Sequence, residues 1–371
     1  MRHNSFLIRL SFLCLCFVPV LSWAQTKPVT HNGRQIEKID LFIREKMKSK
    51  NIPGLSLAIV RDGKIILAKG YGMANLELSV LATEKTNYLI ASITKTFTAV
   101  ATMMLVEEGK ISLDDSISKH LSDLPTAWNP VTIRQLLNHT SGINDYVSHP
   151  KPPCAVGKSE SDYAAPDVLK EVACLPMDFA PGERWSYNNT GYHLLGMLIE
   201  KVSGKTYEQF LRERIFVPLG MSETRLINYT ELVANRANGY SWRNGAYRNA
   251  RQMNPVVEFA TGGLISTVLD MAKWDAALNG ERLLKRTTFK EMWKNAKLNN
   301  GNVVPSYGLG FGLTPFRGRK RVGHTGGIPG FATALQHFLD EKITVIVLTN
   351  ADQPSGVGEM ANEIAAFYFA K

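Results

Sequence analysis

Ser92-Ile93-Thr94-Lys95 sets a hydroxyl and a primary amine three residues apart. On a helix such residues are neighbours, so the Lys95 amine can reach the Ser92 hydroxyl, and the free N–H groups of a first turn surround it. An amine that is partly desolvated, or close to a second cation, has its pKa lowered toward neutrality and can accept the serine proton. The chemistry is that of an activated nucleophile attacking a carbonyl. Spacing alone does not single out this pair, because Ser116–Lys119 and Ser148–Lys151 share it. Pro150 and Pro152 break any helix at the latter, and Ser116 has no strongly apolar helix behind it.

Two other segments carry groups suited to the same reaction. Tyr187-Asn188-Asn189 follows Pro181 to Ser186 and stands just ahead of a helix expected over 191–202. The Tyr187 phenol can relay a proton if neighbouring cations depress its pKa from about 10, and the Asn189 carboxamide can orient a substrate amide. A helix cap beside a buried tyrosine accounts for the motif equally well. A second Tyr-x-Asn, Tyr247-Arg248-Asn249, has no comparable helix after it. Gly323-His324-Thr325-Gly326-Gly327 is expected to close a strand. Its glycines let a ligand backbone lie against the strand edge, and the Gly327 N–H can point into a cleft there. An imidazole with a pKa of about 6.5 titrates near neutrality, so acylation is expected to change between roughly pH 5 and 8 through His324.

These segments need a scaffold. The chain has 371 residues, 44% apolar and 20% charged, enough to bury a large core. A single core stops growing at roughly 250 to 300 residues, so two subdomains around one cleft are expected. Ile36, Ile39, Phe42, Ile43 and Met47 recur at helical spacing. Leu55, Leu57 and Ile59 alternate, Asp62-Gly63 signals a hairpin turn, and Ile65 and Leu67 alternate again. From Ala91 to Met253 the pattern changes to helices and long loops. One helix runs through Phe97, Val100, Ala101, Met104 and Leu105 to Gly109, and another is capped by Thr206 and Gln209. Strand signals return over 307–313, 320–324, 331–338 and 343–348, before a terminal helix through Met360, Ile364 and Phe367. The fold class is α/β of the α+β type: an antiparallel sheet built from both chain ends, flanked by helices, with a mainly helical subdomain inserted. The expected boundaries are 25–90 and 254–371 for the α/β subdomain and 91–253 for the helical one.

Residues 1–24 read as an export signal, with Arg2 and Arg9, an apolar run from Leu10 to Leu21, and small residues in Ser22-Trp23-Ala24. The run is shorter than the roughly 20 residues a spanning helix needs, and no later stretch is long and apolar enough, so no membrane span is expected. Loss of the leader leaves a basic chain from a total of +10, which favours anionic surroundings. Arg317, Arg319, Lys320 and Arg321 read as a solvated hairpin turn, and export argues against nucleic acid as a partner. Cys14 and Cys16 leave with the signal, and Cys154 and Cys174 flank a loop where one disulfide is expected. Gly-x-Ser-x-Gly is absent, and Gly204-Lys205-Thr206 lacks the first glycine of a phosphate loop, Ile199 standing there. Without His-x-x-x-His or paired-cysteine spacing, neither a metal nor a cofactor is expected. His139 and His193 read as isolated structural groups, and Trp185, Tyr307 and Phe311 as packing.

In chain order, these motifs resemble the penicillin-recognising serine hydrolase superfamily, especially its class C β-lactamase and D-alanyl-D-alanine carboxypeptidase branch. Leu136 to Gly142, Pro181 to Asn189, Gly262-Gly263-Leu264 and Tyr307-Gly308-Leu309-Gly310 are similar to segments of that branch. The family's Ser-x-x-Lys falls on Ser92 and Lys95, its Tyr-x-Asn on Tyr187 and Asn189, and its Lys-Thr-Gly on His324, Thr325 and Gly326. The resemblance implies Ser92 as nucleophile, Lys95 as general base and Tyr187 as proton relay. It also implies an oxyanion held by the Ser92 and Gly327 N–H groups, and substrate contacts from Asn189, His324, Thr325 and Gly326. His324 departs from the permanently charged lysine of most β-lactamases in the family, which leans away from efficient β-lactam hydrolysis. The expected function is a periplasmic or secreted serine hydrolase acting on a small-molecule or peptide substrate. D-amino-acid peptides and amides come first, with cell-wall peptide and β-lactams in view. A family VIII-like carboxylesterase and a catalytically idle penicillin-binding receptor are the alternatives.

Overall fold

The computed structural model describes Met1 and residues 31–148, 154, 157, 162–352 and 356–369. The expected leader, Met1 apart, and Lys151 of the Ser148–Lys151 pair lie outside the described residues. A helix, α1 (His31–Ser49), precedes a hairpin of β1 (Gly54–Arg61) and β2 (Lys64–Asn75). Asp62 and Gly63 turn it with φ of 49° and 73°, the left-handed pair whose twist matches that of the strands. A short edge strand, β3 (Val80–Leu81), follows. The other strands come from the far end of the chain: β4 (Arg321–Ile328), β5 (Phe331–Phe338) and β6 (Ile343–Thr349). The sheet order is β3-β2-β1-β6-β5-β4, antiparallel throughout.

Strand alternation sorts the apolar residues into two cores. Leu57, Ile59, Val345 and Val347 pack with Ile39 and Ile43 of α1 and with Met360 and Ile364 of the C-terminal helix, α6 (Val357–Ala366). Their neighbours Ala58, Val60, Ile346 and Leu348 face the helical layer. Burial on both faces explains why β1 and β6 read as nearly continuous apolar runs. Within the helical layer, α2 (Thr94–Glu107) is buried from Thr94 to Leu105. Around it lie α3 (Asn189–Ser203), α4 (Pro255–Gly262) and α5 (Val268–Leu278), and Phe97 stacks on Trp274 at 3.8 Å.

Three segments differ from expectation. The 307–313 stretch is not a strand: its glycines break it into a turn held by the single bridges Tyr307↔Gly312 and Gly312↔Gly323, and Gly310 donates its N–H to the Leu137 carbonyl. β4 runs on to Ile328, so His324 to Gly327 lie inside an edge strand rather than at its end. The stretch before Met253 contains a hairpin of Tyr240–Arg243 and Ala246–Asn249, which takes up Tyr247 and Asn249. Thr206 and Gln209 form a capping box. Cys154 and Cys174 are joined by a disulfide, with Cα atoms 5.9 Å apart. Arg317 and Arg319 flank a tight turn and pair with Glu363 and Glu341. Among the described residues no helix is long and apolar enough to cross a membrane, and no group of His, Cys, Asp and Glu is placed to hold a metal.

Candidate active site

Ser92 lies in a 3₁₀ turn, Ala91–Ile93, that feeds into α2. Ala91 takes a φ of 49°, a strained value for a residue with a side chain. Lys95, one turn on, is wholly buried. Its Nζ donates to Ser92 Oγ at 3.2 Å, to Asn189 Oδ1 at 2.8 Å and to the Thr261 carbonyl at 2.8 Å. Burial lowers its pKa to about 7, against the opposing charges of Glu258 and Asp145. Desolvation therefore does what a second cation was expected to share, and the charged neighbours are carboxylates. With two fixed acceptors, the neutral amine keeps its N–H bonds to them and turns its lone pair toward the serine.

Asn189 opens α3, whose cap is the Asn188 side chain accepting from the Gly191 N–H. Asp145 accepts from the Asn189 backbone N–H at 2.8 Å and from its Nδ2 at 3.2 Å. That clamp fixes the carboxamide with its oxygen on Lys95, leaving one Nδ2 hydrogen for a substrate. The Tyr187 ring lies 5.0 Å from Lys95 Nζ, and its buried hydroxyl faces Ser92 without a close hydrogen bond. Burial pushes the phenol pKa well up, with proximity to Ser92 offsetting part of the rise and the Asp145 and Glu258 charges adding to it. The expected cationic depression of Tyr187 is absent. The group stays a protonated phenol, suited to giving a proton to a leaving group and unsuited to taking one from Ser92.

β4 forms the opposite wall. Gly323 exchanges both its backbone groups with Gly312, N–H to C=O, at 3.1 Å and 2.8 Å, on the free side of the strand. Backbone direction alternates along a strand, so the N–H and C=O of Thr325 and Gly327 leave from the same side. A Cβ at Gly326 would come within 2.5 Å of the Ile90 carbonyl and 2.9 Å of Ala91 Cβ, whereas one at Gly327 meets nothing within 4 Å. Glycine at 326 thus lets the strand close on the nucleophile's turn, while position 327 faces open space.

His324 behaves differently from expectation. Its Nδ1 lies 2.5 Å from the Thr325 carbonyl and its Nε2 2.9 Å from Tyr307 Oη. A carbonyl only accepts, so Nδ1 carries the hydrogen and Nε2 accepts from the phenol. Burial, reinforced by the Lys95 charge, holds the imidazole at a pKa of about 4. It is neutral across the roughly pH 5 to 8 range where titration was expected, and neither nitrogen has an N–H left for a substrate. These bonds and the lowered pKa count against the expected titration near neutrality and against an N–H contact, while His324 itself still lines the cleft.

Sequence reasoning passed over three more residues. His139, expected to be isolated, accepts from the Asn188 N–H at 3.1 Å and packs 4.4 Å from the Tyr187 ring and 4.7 Å from the Tyr307 ring. Burial, then the nearby Lys95 and His324, keep it well below the usual imidazole range. It fixes the Tyr-x-Asn turn as a neutral ring. Glu258 on α4 has its carboxylate over Gly262, where a Cβ would overlap it and stand 3.7 Å from the Ala91 carbonyl carbon. Asp145 and Glu258 are single acids without motif spacing, so nothing in the sequence announces them. His193 donates from Nε2 to the Ala165 carbonyl at 2.8 Å, away from the nucleophile.

Ser92, Tyr187 and His324 to Gly327 line one open cleft of about 810 Å³ together with Asp352 and Glu359, and past His324, Thr325 and Glu359 it continues into a hollow lined by Arg321, the first residue of β4. This arrangement and the sheet order define a β-lactamase/transpeptidase-like fold. The chain matches the Beta-lactamase family over residues 39–368 and belongs to that family, within the penicillin-recognising serine hydrolases. Penicillin-binding protein 4* of Bacillus subtilis is 33% identical over 307 residues, 78% of this chain. The chain spans 66% of that protein's length. The octameric penicillin-binding protein homologue from Pyrococcus abyssi superposes with a TM-score of 0.76 at 34% identity, over 89% of this chain and 76% of that one. The D-amino acid amidase from Ochrobactrum anthropi SV3 gives 0.78 at 27% identity, over 90% and 97%.

Proposed function

We propose that the chain is an exported serine hydrolase that cleaves D-amino-acid amides and peptides through an acyl-enzyme on Ser92. Neutral Lys95 takes the Ser92 proton as Oγ attacks the substrate carbonyl. The Ser92 and Gly327 N–H groups hold the oxyanion, and one such donor is typically worth about 3 kcal/mol. Tyr187 protonates the leaving nitrogen and recovers its proton from Lys95, so the amine departs neutral and the lysine returns to its starting state. Water then attacks the ester, with Lys95 as base and the serine as leaving group.

One observation carries the substrate choice. His324 is a neutral ring with both nitrogens engaged, and Arg321, in the continuation of the cleft beyond it, donates to Asn362 and feels the Glu359 charge. A carboxylate on the leaving group would find no charge at position 324 itself, which favours amides over carboxy-terminal D-peptides and β-lactams. The amidase and the D-stereospecific amidohydrolase from Streptomyces among the structural neighbours support the D configuration. The same neutral ring at position 324 favours a carboxylesterase as the second reading. The buried, activated lysine disfavours an idle receptor. A periplasmic or secreted location is supported by the Cys154–Cys174 disulfide. The test compares turnover of N-acetyl-D-alaninamide, a diacyl D-Ala-D-Ala peptide, a cephalosporin and a short-chain nitrophenyl ester. The amide is expected to exceed the peptide and the cephalosporin. Turnover of the ester alone selects the esterase reading, and preference for the carboxylate-bearing substrates contradicts the proposal.

A further inference from the structure

A second, more enclosed cavity of about 270 Å³ begins where the cleft ends, because Ile328, the residue after Gly327, lines it. Its walls include Leu89, Ile265, Tyr229, Arg236, Arg251 and Glu258. We infer that this cavity is a subsite for a carboxylate carried on the acyl side of the substrate, with Arg236 as its anchor; the inference rests on the hydrolase reading above for its position relative to the scissile bond.

Four observations support it. Arg236 Nη1 is buried and has no hydrogen-bond partner, a costly state for a guanidinium N–H that a carboxylate would relieve with a charge-assisted bond. The arginine is presented from a pinned segment: Asn87 donates its N–H to the Asn235 carbonyl and accepts from the Ala237 N–H, both at 2.9 Å, on either side of residue 236. A planar fork held this way suits a planar anion better than a flexible ammonium does. The direction of β4 sets the side. A carbonyl held at Gly327, with its leaving group along Thr325, sends its acyl portion toward Ile328 and this cavity.

Within the cavity the charged groups are Arg236, Arg251 and Glu258. Glu258 lines the same cavity but has its carboxylate over Gly262, beside the nucleophile's turn. Burial raises the Tyr229 phenol pKa most, and Glu258 adds to the rise while Arg236 opposes it. An incoming anion is therefore repelled from the Glu258 end and drawn to Arg236. The substrate class that fits is an acidic N-acyl D-amino-acid amide.

The experiment measures binding to the full chain carrying Ser92→Ala, so turnover is not needed. N-glutaryl-D-alaninamide is compared with its neutral isostere, in which a carboxamide replaces the terminal carboxylate. The charged ligand should bind about ten-fold tighter or better. Arg236→Gln should abolish that preference, and Arg236→Lys should keep part of it and serve as the control for folding. Equal affinity of the two ligands, or a preference that survives Arg236→Gln, overturns the inference. Fluorophosphonate labelling of the wild type is run beside it. Charge-selective binding without labelling at Ser92 leaves the subsite standing and removes the hydrolase reading, whereas labelling without selectivity does the reverse.

Discussion

Lys95 and Tyr187 are buried in the same pocket and driven in opposite senses, the ammonium toward neutrality and the phenol away from ionisation. The base is active when neutral, so kcat/KM should rise with pH through a limb at about 7 and fall below it. Because His324 is already neutral there, His324→Asn should leave the position of that limb unchanged. The Glu258 charge raises the Lys95 pKa, and its removal in Glu258→Gln should move the limb to lower pH. A pH–rate profile of each variant reads these shifts, and a limb that follows His324 instead would contradict the assignment. Tyr187→Phe should lower kcat by roughly 100-fold or more. Its buried hydroxyl has no close hydrogen bond beyond its approach to Ser92, so the variant should stay within about 1 kcal/mol of wild-type stability. A large loss of stability would mean that the hydroxyl has a structural partner in solution.

Among the elements, the contact between β4 and the Ala91–Ile93 turn sets the spacing of the oxyanion donors. Gly326→Ala would push the strand off the Ile90 carbonyl and Ala91, and a displacement of about 1 Å can cost 100-fold in rate. Gly327→Ala meets no such obstacle and should stay within about 1 kcal/mol of wild-type stability. Urea unfolding beside steady-state kinetics separates the two glycines. This contact marks the limit of what local sequence carries. Helix α2 was legible from its periodic apolar residues, and the β1–β2 hairpin from alternation around Asp62-Gly63. The extent of β4 was not, because His-Thr-Gly-Gly lacks alternation and owes its strand form to pairing with β5. The glycines of 307–313 read as strand punctuation but make a turn whose Tyr307 locks His324. Asp145, His139 and Glu258 acquire their roles only when distant segments meet at Lys95.

At the scale of the whole molecule, the two chain ends share one sheet, with β1 paired to β6 from Leu55↔Thr349 to Arg61↔Ile343. Helices α1 and α6 close its outer face, and Gln35 of the first donates to the Phe367 carbonyl beyond the second at 2.6 Å. Ile364 is fully buried there, so Ile364→Ala should cost about 2–5 kcal/mol in denaturant unfolding. The site lies on the other side of the sheet, so the folded variant should keep its reactivity at low denaturant. Reactivity lost without unfolding would show that the outer layer tunes the cleft. Mass-spectrometric mapping of a fluorophosphonate adduct decides whether Ser92 is the nucleophile that the buried lysine activates. One adduct is expected, on the peptide containing Ser92 and absent from Ser92→Ala; an adduct on another residue, or one that persists in Ser92→Ala, would rule this assignment out.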